Sequence, residues 1–165
     1  VPDRRELLAR LAPRALLAAP QTLGTPLMAL GGKPIKSPLG SSQPQGSAQQ
    51  TDFELEFYVS ILHHMPDYVD VLRVVGNLLT LKGRYAEGLV VDKRLVQLRR
   101  HDPLSHYNLA CSYALLDRCD QAIECLRKAL EIGYRDFRYI REDHDLNNLR
   151  RDPRFETLLL EFEPC

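Results

Sequence analysis

Sliding the 165-residue sequence against itself by 34 positions brings like residues onto like, without gaps. Val75 falls on Leu109, Gly76 on Ala110, Leu79 on Tyr113, Gly88 on Ala122, Leu89 on Ile123, Leu95 on Ala129 and Val96 on Leu130. One step further back, Leu55, Ile61 and Leu62 fall on Leu89, Leu95 and Val96. A unit that recurs at this period cannot bury its apolar face alone, so neighbouring units must stack. The small pairs Gly76 with Gly88, and Ala110 with Ala122, mark where two helices of one unit cross, because only a minimal side chain lets the backbones approach.

The start and stop signals agree with paired helices. TDFE at 51–54 reads as a capping box that opens a helix running to about His64 and burying Leu55, Tyr58, Ile61 and Leu62. A second helix is predicted from Tyr68 to Lys82 with Gly83 as its stop, and a third from Tyr85 to Arg99. Asp102 followed by Pro103 starts a fourth that ends near Leu116. A fifth spans Asp120 to Ile132, stops at Gly133, and turns inward Ala122, Ile123, Leu126, Ala129 and Leu130. No segment alternates at period two, so the predicted fold class is all-α with short antiparallel connections.

The flanks differ from this core. Residues 1–19 read as an amphipathic helix with a Leu7, Leu8, Leu11 and Ala15 stripe, bent at Pro13. Residues 20–50, dense in Pro, Gly, Ser and Gln, have the composition of a linker. The helical domain is accordingly placed at 51–165. At the other end, GYRDFRYIREDHDLNNLRRDPRF (133–155) offers caps at Asp136 and at Asp152–Pro153. Its Phe137, Ile140, Leu146, Leu149 and Phe155 have the spacing of short helices laid on an apolar edge, the capping segment a repeat array needs.

Lysine plus arginine equals aspartate plus glutamate at 22 each, which argues against a nucleic-acid binder that neutralises many phosphates. The first 50 residues nevertheless carry six basic and two acidic side chains, leaving the rest at −4. Four cysteines, at 111, 119, 125 and 165, form no CxxC pair, so neither a zinc cage nor a disulfide framework is expected. No cofactor motif is found. Free thiols, with neither a secretory signal nor a membrane-length apolar run, predict a cytoplasmic protein. The chain starts at Val1 rather than Met, which reads as an excerpt or a processed product.

The period, the small residues twelve apart, and Tyr107, Asn108, Leu109, Ala110, Tyr113, Ala122, Ile123, Ala129 and Leu130 resemble the tetratricopeptide repeat. The likeness covers repeats at about 69–102 and 103–136, a preceding half repeat at 52–66 and a cap at 137–165. Asp92 departs from it, standing where the family has an aromatic or large apolar residue, which calls for a polar partner nearby or a looser contact. Cys119 also departs, replacing the tyrosine seen at Tyr85. The resemblance implies a right-handed superhelix whose concave groove, lined by the first helix of each hairpin, binds a peptide of a partner protein without catalysis. It places the ligand around Arg73, Asn77, Thr80, Tyr107, Asn108 and Cys111, where Arg73, Asn77 and Asn108 with Arg138 or Arg141 would make a carboxylate-binding set; Glu142 opposes such a set, and a peptide groove without a dedicated clamp is the alternative.

Two other functions compete with the groove. In one, the N-terminal arm docks on its own array or on a neighbouring copy, making a scaffold or homo-oligomer. In the other, the arginines of 133–155, interleaved with Tyr134, Phe137, Tyr139 and Phe155, bind single-stranded nucleic acid, although five acidic residues reduce that stretch to +1. Enzyme chemistry is not expected, because Cys111 and His106 do not share a helix face and His63 and His64 suit a helix C-terminus.

Overall fold

The computed structural model describes residues 46–163 as an all-α helical array, with no strand among the described residues. In chain order the helices are α1 (Gly46–His64), α2 (Val69–Leu81), α3 (Tyr85–Leu98), α4 (Pro103–Leu115), α5 (Cys119–Glu131), α6 (Phe137–Glu142) and α7 (Pro153–Phe162). Two single 3-10 turns, His144–Leu146 and Leu149–Arg151, lie between α6 and α7. Consecutive helices from α1 to α5 pack on one another, and the segment after α5 folds back over α4 and α5. The predicted arm at 1–19, and residues 20–45 of the predicted linker, lie outside the described residues.

The stop and start chemistry places the helix boundaries. Gly83, between α2 and α3, and Gly133, after α5, take φ of +69° and +110°, and Asp117, in register with Gly83 between α4 and α5, takes +55°. Asp102 caps α4, its carboxylate accepting the Ser105 amide at 3.2 Å, and Pro103 fills the first helical position. Asp136 and Asp152 cap α6 and α7 in the same way.

The N-terminal boundary differs from the sequence reading. The first helix starts at Gly46 rather than Thr51, so residues 46–50 are helical and Thr51 is not its cap. Ala48, Gln49 and Gln50 propagate a helix well. Glu54, expected to reach back to Thr51, instead accepts a hydrogen bond from Gln50 Nε2 at 3.1 Å, the i, i+4 pairing of a helix surface.

The apolar residues separate into two cores. One joins α1, α2 and α3 through Leu55, Val59, Leu62, Leu72, Val75, Leu79, Val91 and Leu95. The other joins α4, α5 and the closing segment through Ala110, Leu126, Leu130, Ile140, Leu146, Leu149, Phe155 and Leu159. At the seam, Asp92 has the polar partner its position demanded: Ser112 Oγ donates to its Oδ2 at 2.5 Å, with both residues buried. The 34-residue register puts Leu126 of the second core at the position of Asp92 in the first, so one polar substitution turns a packing position into a link between hairpins.

Gly76 and Gly88 do sit at a close crossing. A Cβ at Gly88 would lie 3.9 Å from the Gly76 carbonyl oxygen and 3.8 Å from Leu79 Cβ, ordinary contact distances, whereas one at Gly76 would lie 3.3 Å from Asp92 Oδ1. Gly88→Ala, which reproduces Ala122, should therefore stabilise the protein by about 0.5–1 kcal/mol in urea unfolding. Gly88→Leu should cost roughly 1–3 kcal/mol through overpacking.

Candidate functional site

Six of the eight residues singled out in the sequence divide between two helices that stand in the same register, α2 and α4, and Arg138 and Arg141 lie on α6. Positions 73 and 77 of α2 correspond to 107 and 111 of α4. The structure treats the two faces differently.

On α2 the inner side is consumed by packing, with Val71, Leu72, Val75, Leu78 and Leu79 buried. Asp70, Asn77 and Leu81 recur at intervals that keep them on the opposite side, and all three are exposed. Leu81 is 77% exposed, an apolar side chain left in water on the last turn of the helix. Arg73 joins this strip half-buried. Its guanidinium donates to Asp102 Oδ2 at 2.8 Å and lies 3.7 Å from Asp70. Burial works against ionisation of Asp102, but its bonds from Ser105 and Arg73 outweigh that and hold its carboxyl below the usual range. Thr80 turns aside, its hydroxyl facing the Gly88 crossing. An open depression lined by Met65, Pro66, Tyr68, Val69, Asp70 and Arg99 adjoins the start of α2, and Met65 and Tyr68 are both exposed there.

On α4 the equivalent positions are shut. Tyr107 is 1% exposed and Cys111 is 4% exposed, so neither faces an open surface as the sequence reading required. The physical reason is the closing segment. Tyr134 stacks on the Tyr107 ring with centroids 4.4 Å apart and planes within 2°, and Tyr139 leans on it at 6.0 Å. The Tyr107 hydroxyl donates to Asp143 Oδ2 at 2.7 Å, and Cys111 Sγ approaches the same oxygen at 3.8 Å. Burial, followed by the neighbouring Cys111 and Asp143, pushes the Tyr107 hydroxyl pKa upward and keeps it a neutral donor. Asp143 also accepts the backbone amide of Asp145, at 3.1 Å. Asn108 is half-buried on the same helix.

Arg138 and Arg141 do not converge with Arg73 and Asn77 on one pocket. Arg138 is exposed and pairs with Glu142 at 3.0 Å. Arg141 reaches Glu156 at 3.0 Å and Glu163 at 2.7 Å, tying α6 to α7 and the residue that follows it. Arg154 is similarly engaged with Asp152 and Asp120, Arg150 with Asn147 and the Asp143 carbonyl oxygen, and Arg135 with the carbonyl oxygens of Leu130 and Tyr134. Phe137 and Phe155 belong to the core, so these rings are not available to stack on bases.

Cysteine and histidine roles follow from packing. Cys111, Cys119 and Cys125 are free thiols set against the second core, and burial raises the Cys125 pKa to about 12. His106 bonds the Arg100 carbonyl oxygen at 3.0 Å through Nε2, and His63 and His64 close the last turn of α1.

Two features escaped the sequence reading. The role of Asp143 lies in a contact 36 residues away in the chain, although an aspartate two residues before Asp145 in a short turn has the form of a cap. Leu81 was hidden by its agreement with helical spacing, which does not say which apolar residues lie outside the core. Tyr107→Phe should lower stability in urea unfolding by about 1–3 kcal/mol, since the buried Asp143 carboxylate loses a donor while the ring stack is kept.

No protein-family model matches the chain. The chain is similar to a chloroplastic protein of Arabidopsis thaliana, with 40% identity over 60 residues. That match takes in 36% of this chain and 18% of the relative, so it spans less than a fifth of the relative's length.

Proposed function

We propose that the chain is a non-catalytic interaction module of the tetratricopeptide type, and that it binds a peptide segment of a partner protein along the outward strip of α2. The observation that carries this reading is the contrast between two helices in one register. Asp70, Asn77 and Leu81 are left to solvent with Arg73 half-buried beneath them, while Tyr107 and Cys111, which stand in register with Arg73 and Asn77, are covered by the chain's own closing segment.

Mixed chemistry on that strip suits an extended or helical peptide. Leu81 at the end of α2 and Met65 and Tyr68 at its start offer apolar contact, Asn77 offers both a donor and an acceptor, and Asp70 fixes the sense of charge. Arg73 contributes from below, positioned by Asp102. Binding at the equivalent α4 face would first have to displace the Tyr134 stack and the Asp143 contact, so α2 takes the ligand in this account. Groove binding by the first helices of hairpins is what the 34-residue resemblance implies. The partial match to the chloroplast protein adds a relative but no ligand.

A photo-reactive amino acid placed at Asn77 or Leu81 should crosslink to one recurrent partner peptide in the native extract. The same probe at Glu124, exposed on a second helix, should not. In calorimetry with that peptide, the double change Asn77→Ala with Leu81→Asp should weaken binding about tenfold or more, the loss of roughly 1.4 kcal/mol or above. Equal crosslinking at all three positions, or unchanged affinity, contradicts the assignment.

A further inference from the structure

The outer flank of α1 is built like the side of a hairpin. Phe53 and Phe57 lie one turn apart on it and are 68% and 52% exposed, on a helix whose other side buries Leu55, Val59 and Leu62. The 34-residue register makes the flank legible. Phe57 stands where α3 has Val91 and α5 has Cys125, and Glu54 stands where they have Gly88 and Ala122. Val91 is fully buried, its Cγ1 3.6 Å from where a Gly76 Cβ would be. Gly88 faces Gly76 in the same crossing. This is therefore the side on which a second helix receives the first helix of its own hairpin. Among the described residues α2 packs on α1, and it does so over the buried side, through the Leu55, Val59 and Leu62 cluster.

We propose that residues 3–18 of the same chain dock on this flank and act as the first helix of the hairpin that α1 completes. Three observations select that occupant over others. Its apolar stripe, Leu7, Leu8, Leu11 and Ala15, provides leucines for the two exposed rings. Its charge is complementary: residues 3–18 hold Arg4, Arg5, Arg10 and Arg14 against Asp3 and Glu6, whereas α1 holds Glu54 and Glu56 beside Asp52, which pairs with Lys82, and has no lysine or arginine of its own. Its tether is long enough. The 27 residues from 19 to 45 can extend to about 90 Å, against about 28 Å for the whole of α1, so either helix direction is reachable.

Glu54 also explains why the docked helix is joined by large side chains. At this position the other hairpins have Gly88 or Ala122, which permit close backbone approach. A glutamate there holds the incoming helix further out, leaving a wider gap that phenylalanine and leucine side chains fill, and it sets a carboxylate beside the arginines of the arm. The tether favours this intramolecular arrangement over a second copy by raising the effective concentration of the arm.

Hydrogen exchange read by mass spectrometry on the full 165-residue chain tests it, at two protein concentrations tenfold apart and with the mass checked by sedimentation. In the wild type, amides within 3–18 should exchange about tenfold or more slowly than in a Phe53→Asp, Phe57→Asp variant, at both concentrations and at monomer mass. The reciprocal variant, Leu7→Asp with Leu8→Asp and Leu11→Asp, should speed exchange over 53–64 while leaving α4 and α5 protected. Because Phe53 and Phe57 are exposed, exchange protection across α3, α4 and α5 should be retained in either variant. Exchange over 3–18 that is equally fast in the wild type and the Phe53→Asp, Phe57→Asp variant overturns the proposal. Protection that grows with concentration together with a doubled mass also overturns it, and assigns the flank to a second copy.

Discussion

The contact between Tyr107 and Asp143 decides which surfaces of this array are open. A carboxylate that is 8% exposed needs donors, and here the donors come from the Tyr107 hydroxyl at 2.7 Å and the Asp145 backbone amide at 3.1 Å. Burying such a group without them would cost several kcal/mol. The chain after α5 is thus held in one place over α4, and the stack of Tyr134 on Tyr107 fixes its entry. With that anchor set, Ile140, Leu146, Leu149, Phe155 and Leu159 complete a core that α4 and α5 could not close by themselves. Other polar residues of the segment pair with one another or with α5, as in Arg141 with Glu156 and Glu163, or Arg127 with Glu161.

The same logic accounts for the seam between the two cores. Asp92 and Ser112 replace apolar contact at the middle of the array with one buried hydrogen bond, and Lys93 lies 5.5 Å from the Tyr113 ring centroid beside it. At one end of the seam Arg73 bonds Asp102, the residue that caps α4. These contacts are directional, so they fix how the α2–α3 hairpin meets the next one more tightly than leucine packing would. Arg73 belongs both to this seam and to the strip on α2 proposed to bind a peptide.

Much of this architecture is legible in the order of residues alone. The 34-residue register located the hairpins. Asp102–Pro103, Gly83 and Gly133 placed boundaries to within a residue or two, and the apolar spacing of 133–155 picked out side chains that the second core buries. These are local signals, or periodic ones, and a linear text carries both. Thr51 misled because a capping box describes one way to start a helix and does not prevent the helix from starting earlier. Tyr107 and Cys111 misled for a different reason: their register promised an outward face, but what covers that face lies more than 20 residues downstream. The need of Asp92 for a partner was legible, while the identity of Ser112 as that partner required the fold.

The most direct test of this account is the reactivity of Cys111 toward a small neutral alkylating reagent, followed residue by residue in native buffer. If the closing segment shuts the α4 face, Cys111 reacts only through opening of that segment, on the order of a hundredfold more slowly than half-buried Cys119. Mild denaturant should remove the difference as the segment opens. If Cys111 instead reacts as fast as Cys119 in native buffer, the α4 face is open, and the distinction between α2 and α4 on which the binding assignment rests is wrong.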